Sequence, residues 1–354
     1  MSRARDLLAW YDAHRRILPW RGTDAARPPA YVVWVAEIML QQTTVATVLA
    51  RFPSFLTRFP DVAALAAAPQ EAVLDAWAGL GYYARARNLH ACARTVVERH
   101  GGAFPADLDA LLALPGVGPY TARAIAAMAF GLPHIGVDTN VARVLARIHA
   151  VDCLLPKAGA ALQAHADALV AESPQRPGDL TQALFDLGAH LCRPKAPDCP
   201  ACPLRTACAA HAAGQADAYP VRPAKAAKPI RRGTAFLARA PGLLLLERRP
   251  QTGLLGGLLG PPCTPWTTEG PDDAAQETAR PLLGDWRPAG QVRHTFSHFH
   301  LILDVEVLDL TEPRPTNQGT WMPADVTLPT LFEKARQCAP IGESAGRYPK
   351  QREP

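Results

Sequence analysis

Through residues 5–190 of this chain apolar side chains recur at helical spacing, and beyond residue 232 they alternate or gather in short runs, so a helical region precedes a stranded one. Residues 5–18 read as an amphipathic helix closed by Leu18-Pro19-Trp20-Arg21. A second predicted helix covers residues 31–50. Val35, Ile38, Met39, Val45 and Leu49 make its core face, while Glu37, Gln41 and Thr44 fall at i, i+4 and i+7 as a polar stripe on another face. Asp61, Pro69 and Asp107 each head a further helix, and Gly101-Gly102 closes one. Asp138 stands before Thr139-Asn140-Val141-Ala142-Arg143-Val144-Leu145 as an N-cap ahead of an apolar-periodic run. Two more helices lie between Ala158 and His190.

Residues 219–232, YPVRPAKAAKPIRR, are rich in proline and basic residues and read as a semi-extended linker. Past it, residues 235–239 and 243–247 flank Pro241-Gly242 like a hairpin, residues 301–307 alternate in part, and a helix starts at Thr330. The expected architecture is therefore multidomain: an all-α domain over residues 1–218, an α/β domain over 233–340, and a disordered tail over 341–354.

A chain of 354 residues has room for both cores, and 48% hydrophobic against 19% charged residues excludes a disordered protein. The net charge of +5 permits a nucleic-acid partner without requiring one. The opening MSRARDLLAWYDAHRR lacks an apolar core long enough for a signal peptide, and no stretch reaches the length of a membrane span. A reducing cytoplasm is the expectation. Clustered cysteines there more often hold metal than form disulfides, and Cys192, Cys199, Cys202 and Cys208 crowd into one segment. Spacing alone leaves zinc and a 4Fe-4S cluster both open.

Three further stretches carry chemistry. In Leu114 to Thr121 the Gly116-Val117-Gly118 turn, with Pro119 at a helix start, brings bare N–H groups to a place suited to a phosphate, although a lone Gly-x-Gly is more often an ordinary turn. Gly79-Leu80-Gly81-Tyr82-Tyr83 followed by Arg85 and Arg87 presents an aromatic edge and positive charge, with a buried tyrosine as the bland reading for Tyr83. Around Phe296-Ser297-His298, the histidines 294, 298 and 300 would share one face of a continuous strand and could hold a metal, or be polar strand positions.

Leu114 to Thr121 with Asp138 downstream resembles the helix-hairpin-helix (about residues 108–130) and aspartate of the DNA glycosylase superfamily, in the branch that includes endonuclease III and the adenine glycosylase MutY. Glu37 to Thr43, EIMLQQT, is similar to the MutY catalytic helix, and endonuclease III lacks that glutamate. The four cysteines match the cluster loop of this branch (192–208), which implies a 4Fe-4S cluster, and residues 233–340 resemble the MutT-like (Nudix) domain that MutY carries. Pro271 to Leu283 lacks the Arg-Glu-x-x-Glu-Glu helix of a working Nudix hydrolase, so that domain is expected to bind only.

The resemblance implies a monomeric, monofunctional enzyme that removes adenine mispaired with 8-oxoguanine or guanine in double-stranded DNA, working without a membrane in a bacterial-type cytoplasm. It implies Glu37 as acid and Asp138 as the anion beside the sugar, with Tyr120 and Asn140 bonded near Asp138. Trp20, Arg21, Gln41 and Gln42 would line the base pocket, Tyr82 would wedge into the stack, Gly116 and Gly118 would hold phosphate, and Phe296-Ser297-His298 would sense 8-oxoguanine. Thr139 departs from the pattern, where a glycine is usual. Two other classes remain: an endonuclease III-like lyase on oxidised pyrimidines and a non-catalytic DNA clamp.

A lyase of this superfamily attacks the sugar with a lysine where this chain has Tyr120, and residues 1–156 contain no lysine. Borohydride added during turnover is therefore expected to trap no protein on substrate DNA, and an efficiently trapped adduct would contradict the monofunctional reading.

Overall fold

The computed structural model describes residues 2–22, 26–154, 157–221, 227–250 and 253–339. The tail from 341 and the middle of the expected linker lie outside them. The chain divides into two compact units, Met1–Ala224 and Lys225–Pro354. Among the described residues no helix is long and apolar enough to cross a membrane.

The first unit is helical: α1 (Arg3–His14), α2 (Ala30–Leu40), α3 (Val45–Arg58), α4 (Val62–Ala67), α5 (Gln70–Ala76), α6 (Ala84–His100), α7 (Leu108–Leu112), α8 (Pro119–Phe130), α9 (Thr139–Ile148), α10 (Gly159–Ala171), α11 (Pro177–His190) and the short α12 (Ala209–Ala212). It has two cores. One gathers Trp34, Phe52, Phe55, Trp77 and Ile125, the other Leu7, Tyr11, Val144, Leu162 and Leu184, and Phe185 packs against both. α2 runs through the middle of the first. Its sequence AYVVWVAEIML is apolar all round, as expected of a fully buried helix, and Glu37 is its only charged side chain.

The expected helix over 31–50 is two helices. Gln42 adopts φ +57, and Thr44 caps α3 by accepting a hydrogen bond from the Thr47 N–H at 3.3 Å. The apolar spacing carries across that corner and hides it, but the stripe does not survive: Gln41 lies past the end of α2 and Leu49 is exposed. The first helix likewise stops at His14, short of residue 18.

The hairpin between α7 and α8 turns at Gly116, whose φ is +74. A Cβ there would meet Asn88 Cβ on α6 at 2.7 Å, so both conformation and space select glycine. Gly118 caps α8 with an ordinary φ of −88 and open space around it.

The second unit is a mixed sheet of β1 (Ile230–Ala240), β2 (Leu243–Arg248), β3 (Leu259–Gly260), β4 (Arg287–Thr295), β5 (His300–Asp309) and β6 (Thr320–Pro323), with α13 (Asp273–Ala279) and α14 (Thr330–Cys338). The strand order is β3-β2-β1-β5-β4, with β6 on β2; β1 and β5 are parallel and the other pairs antiparallel. Phe332 of α14 shares the core of this unit with Leu303 and Val305. Ile230–Arg232, expected in the linker, belong to β1, because pairing with His300–Ile302 supplies their ladder partners. Tyr219 is likewise tied down, its carbonyl accepting from Arg147 Nε at 3.1 Å.

Gly116→Ala is expected to cost about 1–3 kcal/mol from backbone strain and crowding, and Gly118→Ala well under that. Equal losses for the two in chemical denaturation would show that the turn is not constrained as described.

Candidate active site

The N-terminal end of α9, the C-terminal end of α2, the start of α8 and the segment before α2 enclose a cavity of about 400 Å³. Trp20, Arg21, Glu37, Gln41, Gln42, Tyr120, Asp138 and Asn140 all line it, together with Leu18, Phe185 and other apolar side chains. Apolar side chains and a larger set of converging polar groups line it together, and it has room for a flat heterocycle such as a purine.

Glu37 is 3% exposed. Because it sits on an apolar helix inside the core, burial pushes its carboxyl up to about 7; the Tyr120 hydrogen bond and Arg21 pull it down and the Asp138 charge pushes it up. The Tyr120 hydroxyl donates to Glu37 Oε2 at 2.5 Å. Burial, then the charges of Glu37 and Asp138, hold that phenol well above its ordinary value, so it keeps its proton. Tyr120 thus bonds Glu37, correcting the expectation that it bonds beside Asp138: its place in the first turn of α8 faces α2.

Asp138 is the N-cap of α9. Its Oδ1 accepts from the Val141 N–H at 2.7 Å and its Oδ2 from Asn140 Nδ2 at 3.1 Å. Burial nevertheless raises it above the usual aspartate value, against the lowering by the Val141 and Asn140 bonds and by the Arg143 charge. The helix end alone therefore does not fix its ionisation.

Behind this carboxylate runs a polar path. Arg143 Nη2 donates to Asn140 Oδ1 at 2.9 Å and to the Gly188 carbonyl at 2.7 Å, and its Nε donates to the Cys192 carbonyl at 2.7 Å. One turn on, Arg147 is 2% exposed and donates to Cys192 Sγ at 3.3 Å and to the Arg193 carbonyl at 2.7 Å. Arg21 is held by the buried Asp186, its Nη1 and Nη2 lying 2.7 and 2.8 Å from the two carboxylate oxygens, while Arg16 Nε takes the same carboxylate at 2.5 Å. Burial alone would raise Asp186, but both arginines hold it below the ordinary range. Trp20 is buried edge-on against Phe52, Gln41 donates to Thr121 Oγ1 at 3.3 Å, and Gln42 is exposed at the corner. Tyr82 is 52% exposed with φ +47, while Tyr83 is partly buried at the start of α6.

The four cysteines lie in one loop after α11. Burial pushes the Cys202 thiol up to about 11, with additions from Cys192, Cys208 and Cys199, so the four sulfurs share one locality. Among the described residues no three His, Cys, Asp or Glu groups converge tightly enough for a single metal ion. The Arg147 guanidinium against Cys192 Sγ suits a thiolate-rich site. Arg193 donates to the carbonyls of His190, at the end of α11, and of Ala196 in the loop.

Residues 35–163 match the HhH-GPD superfamily of base excision DNA repair proteins, and residues 234–337 match the NUDIX domain. The adenine DNA glycosylase of Homo sapiens is 37% identical over 87% of this chain and 67% of its own length. The chain belongs to the adenine DNA glycosylase family. A Mycobacterium tuberculosis adenine DNA glycosylase is 42% identical over 56% of this chain and 64% of its own. A thermostable thymine-DNA glycosylase of known structure aligns at TM-score 0.53 and 29% identity, covering 59% of this chain and 95% of that one.

In this member of the adenine DNA glycosylase family, Phe296, Ser297 and His298 form the turn between β4 and β5, so the histidines 294, 298 and 300 do not lie along one strand. Lys228 Nζ donates to the Phe296 carbonyl at 2.8 Å and the Phe296 ring packs among Trp266, His294 and Phe299, leaving Ser297 and His298 exposed at the tip. α13 carries no pair of adjacent glutamates. Sequence reasoning missed Asp186, Arg16, Phe185 and the Arg143–Arg147 pair. For Asp186, Arg143 and Arg147 the signal was a charged residue inside an apolar-periodic helix, a position where a buried partner is needed.

Glu37 titrates higher in the folded chain, about 7 against 4.5, so its contribution is intact below the unfolded value and is lost as pH rises through about 7. Relative to the parent, Glu37→Gln is expected to gain under about 1 kcal/mol at pH 5 and about 3 kcal/mol at pH 9. A stability difference that stays constant across that range in denaturant titrations would contradict the buried-acid assignment.

Proposed function

We propose that this chain, an adenine DNA glycosylase by family, releases adenine paired with 8-oxoguanine or guanine in duplex DNA and leaves an abasic site with the strand uncut. The observation that carries the reading is one cavity with room for a purine, a carboxyl raised to about 7 on one wall and a carboxyl group held by N–H donors on another. Cleavage of an N-glycosidic bond needs a leaving base made neutral by a proton and a sugar able to carry positive charge.

In this scheme Glu37 donates its proton to adenine N7, with the Tyr120 hydroxyl fixing the carboxyl by its bond to Oε2. The C1′–N9 bond breaks with its electron pair leaving on the base. Asp138, oriented by Asn140 and Val141, stabilises the cationic sugar, and water activated by the newly ionised Glu37 completes the hydrolysis. Arg21, fixed by Asp186, and Trp20 bound the base pocket with Gln41 and Gln42. Tyr82 fills the space left in the stack, and the N–H groups at Gly116 and Gly118 take phosphate, which together offset the few kcal/mol of flipping. The turn Phe296-Ser297-His298 reads the opposite base. Cys192, Cys199, Cys202 and Cys208 would hold a 4Fe-4S cluster, which would supply a rigid tie for the loop after α11.

Base release from three duplexes tests this: adenine opposite 8-oxoguanine, adenine opposite guanine, and an oxidised pyrimidine opposite guanine. Free adenine and an alkali-labile, otherwise intact strand are expected from the first two, with a rate that falls as pH rises above about 7. Glu37→Gln is expected to bind the duplex yet lose about 100-fold or more in release. Adenine freed by that variant at the parent rate would remove Glu37 from the acid role, and release of the oxidised pyrimidine alone would remove the adenine assignment.

A further inference from the structure

Arg85 is 9% exposed, and among the described residues no carboxylate accepts any of its hydrogen bonds. Its Nη1 donates to the Ile38 and Met39 carbonyls at 2.8 and 2.9 Å; these belong to the last turn of α2, where a helix leaves carbonyls without partners. Its Nη2 donates to the Leu80 and Gly81 carbonyls at 2.8 and 3.1 Å and to Thr43 Oγ1 at 3.0 Å. One planar cation therefore joins three segments: the end of the helix that carries Glu37, the corner beyond it, and the turn just before Tyr82.

The turn is built around this cation. Tyr82 sits at φ +47, a conformation that a bulky side chain adopts only when its surroundings impose it. The imposed contacts are on its inner side. The Arg85 guanidinium carbon lies 5.7 Å from the Tyr82 ring centroid and 5.2 Å from that of Trp77, whose Nε1 also donates to the Gly81 carbonyl at 3.0 Å. With both preceding carbonyls turned inward, the Tyr82 ring is left 52% exposed. Arg85 Nε is buried with no partner among the described residues, so the site accepts a cost to keep the two-sided grip.

We infer that Arg85 is a positioning residue that locks the Tyr82 turn to the end of the Glu37 helix, so that insertion of the aromatic wedge into DNA and alignment of the acid with the extruded base occur as one event. The inference rests on the roles of Tyr82 and Glu37 given above. A lysine cannot replace it. An ammonium has three donors on one centre, whereas the guanidinium spreads five over a plane and reaches carbonyls on opposite sides.

The test is a double-mutant cycle on the full chain. Single-turnover adenine release from an adenine:8-oxoguanine duplex, with protein in excess, is compared for the parent, Arg85→Met, Tyr82→Ala and the double variant. Fluorescence of 2-aminopurine placed beside the target reports unstacking. Each single change is expected to slow release by roughly tenfold or more, the double variant to stay within about threefold of the slower single, and Arg85→Met to lose the unstacking signal at temperatures where it is folded. Arg85→Lys is expected to recover only part of the rate, and it carries the cycle if Arg85→Met does not fold. Losses that multiply in the double variant, a full parent rate from Arg85→Lys, or a normal unstacking signal in Arg85→Met would each overturn the coupling. Tyr82→Ala releasing adenine at the parent rate would remove the wedge assignment and this inference with it, whereas multiplying losses would remove this inference alone.

Discussion

The structure depends on one buried carboxyl. α2 is apolar all round and fills the first core with Trp34, Val35 and Met39, and Glu37 is carried into that interior by its neighbours. Taking a carboxylate out of water is expensive, so the group responds by holding its proton to about 7. Nothing about glutamate chemistry alone gives that value. It follows from the burial that the apolar helix around the residue imposes.

Opposite Glu37, the chain provides a carboxylate of a different kind. Asp138 shares the same cavity and is also partly buried, but it heads α9 and receives the Val141 N–H and the Asn140 amide. Glu37 is engaged by one neutral phenol, Tyr120. The contrast lies in the donors: a single phenolic hydroxyl beside Glu37, and backbone and amide N–H groups with a nearby arginine beside Asp138. Asn140 is in turn gripped by Arg143, whose other bonds reach Gly188 and the cysteine loop. The cavity lies where the two helical cores meet, with Phe185 packed on both, so its walls are as rigid as the cores behind them.

Several arginines of this unit are used internally. Arg85, Arg143 and Arg147 are each under 10% exposed and donate mainly to carbonyls, while Arg16 and Arg21 share Asp186. A net charge of +5 therefore overstates what the surface offers to a polyanion. These arginines fix backbone geometry at the ends of α2 and α11 and around the cysteine loop, the places where helices leave carbonyls unpaired.

Much of this was legible in the sequence, because it rests on local rules. The apolar period announced most helices, Asp61, Asp107 and Asp138 marked their starts, Pro241-Gly242 marked the hairpin, and the cysteine spacing marked the loop. Those signals are short-range, so the chain carries them whatever it packs against. The corner at Gln42, the partner of Tyr120, the burial that opposes the Asp138 cap, and the tasks of Asp186, Arg85 and Arg143 were decided by residues up to 170 positions apart. A charged residue inside an apolar stretch signals that a partner exists. Which partner it is, and how far burial moves a proton, depends on the dielectric and the contacts that form only when distant segments close around it.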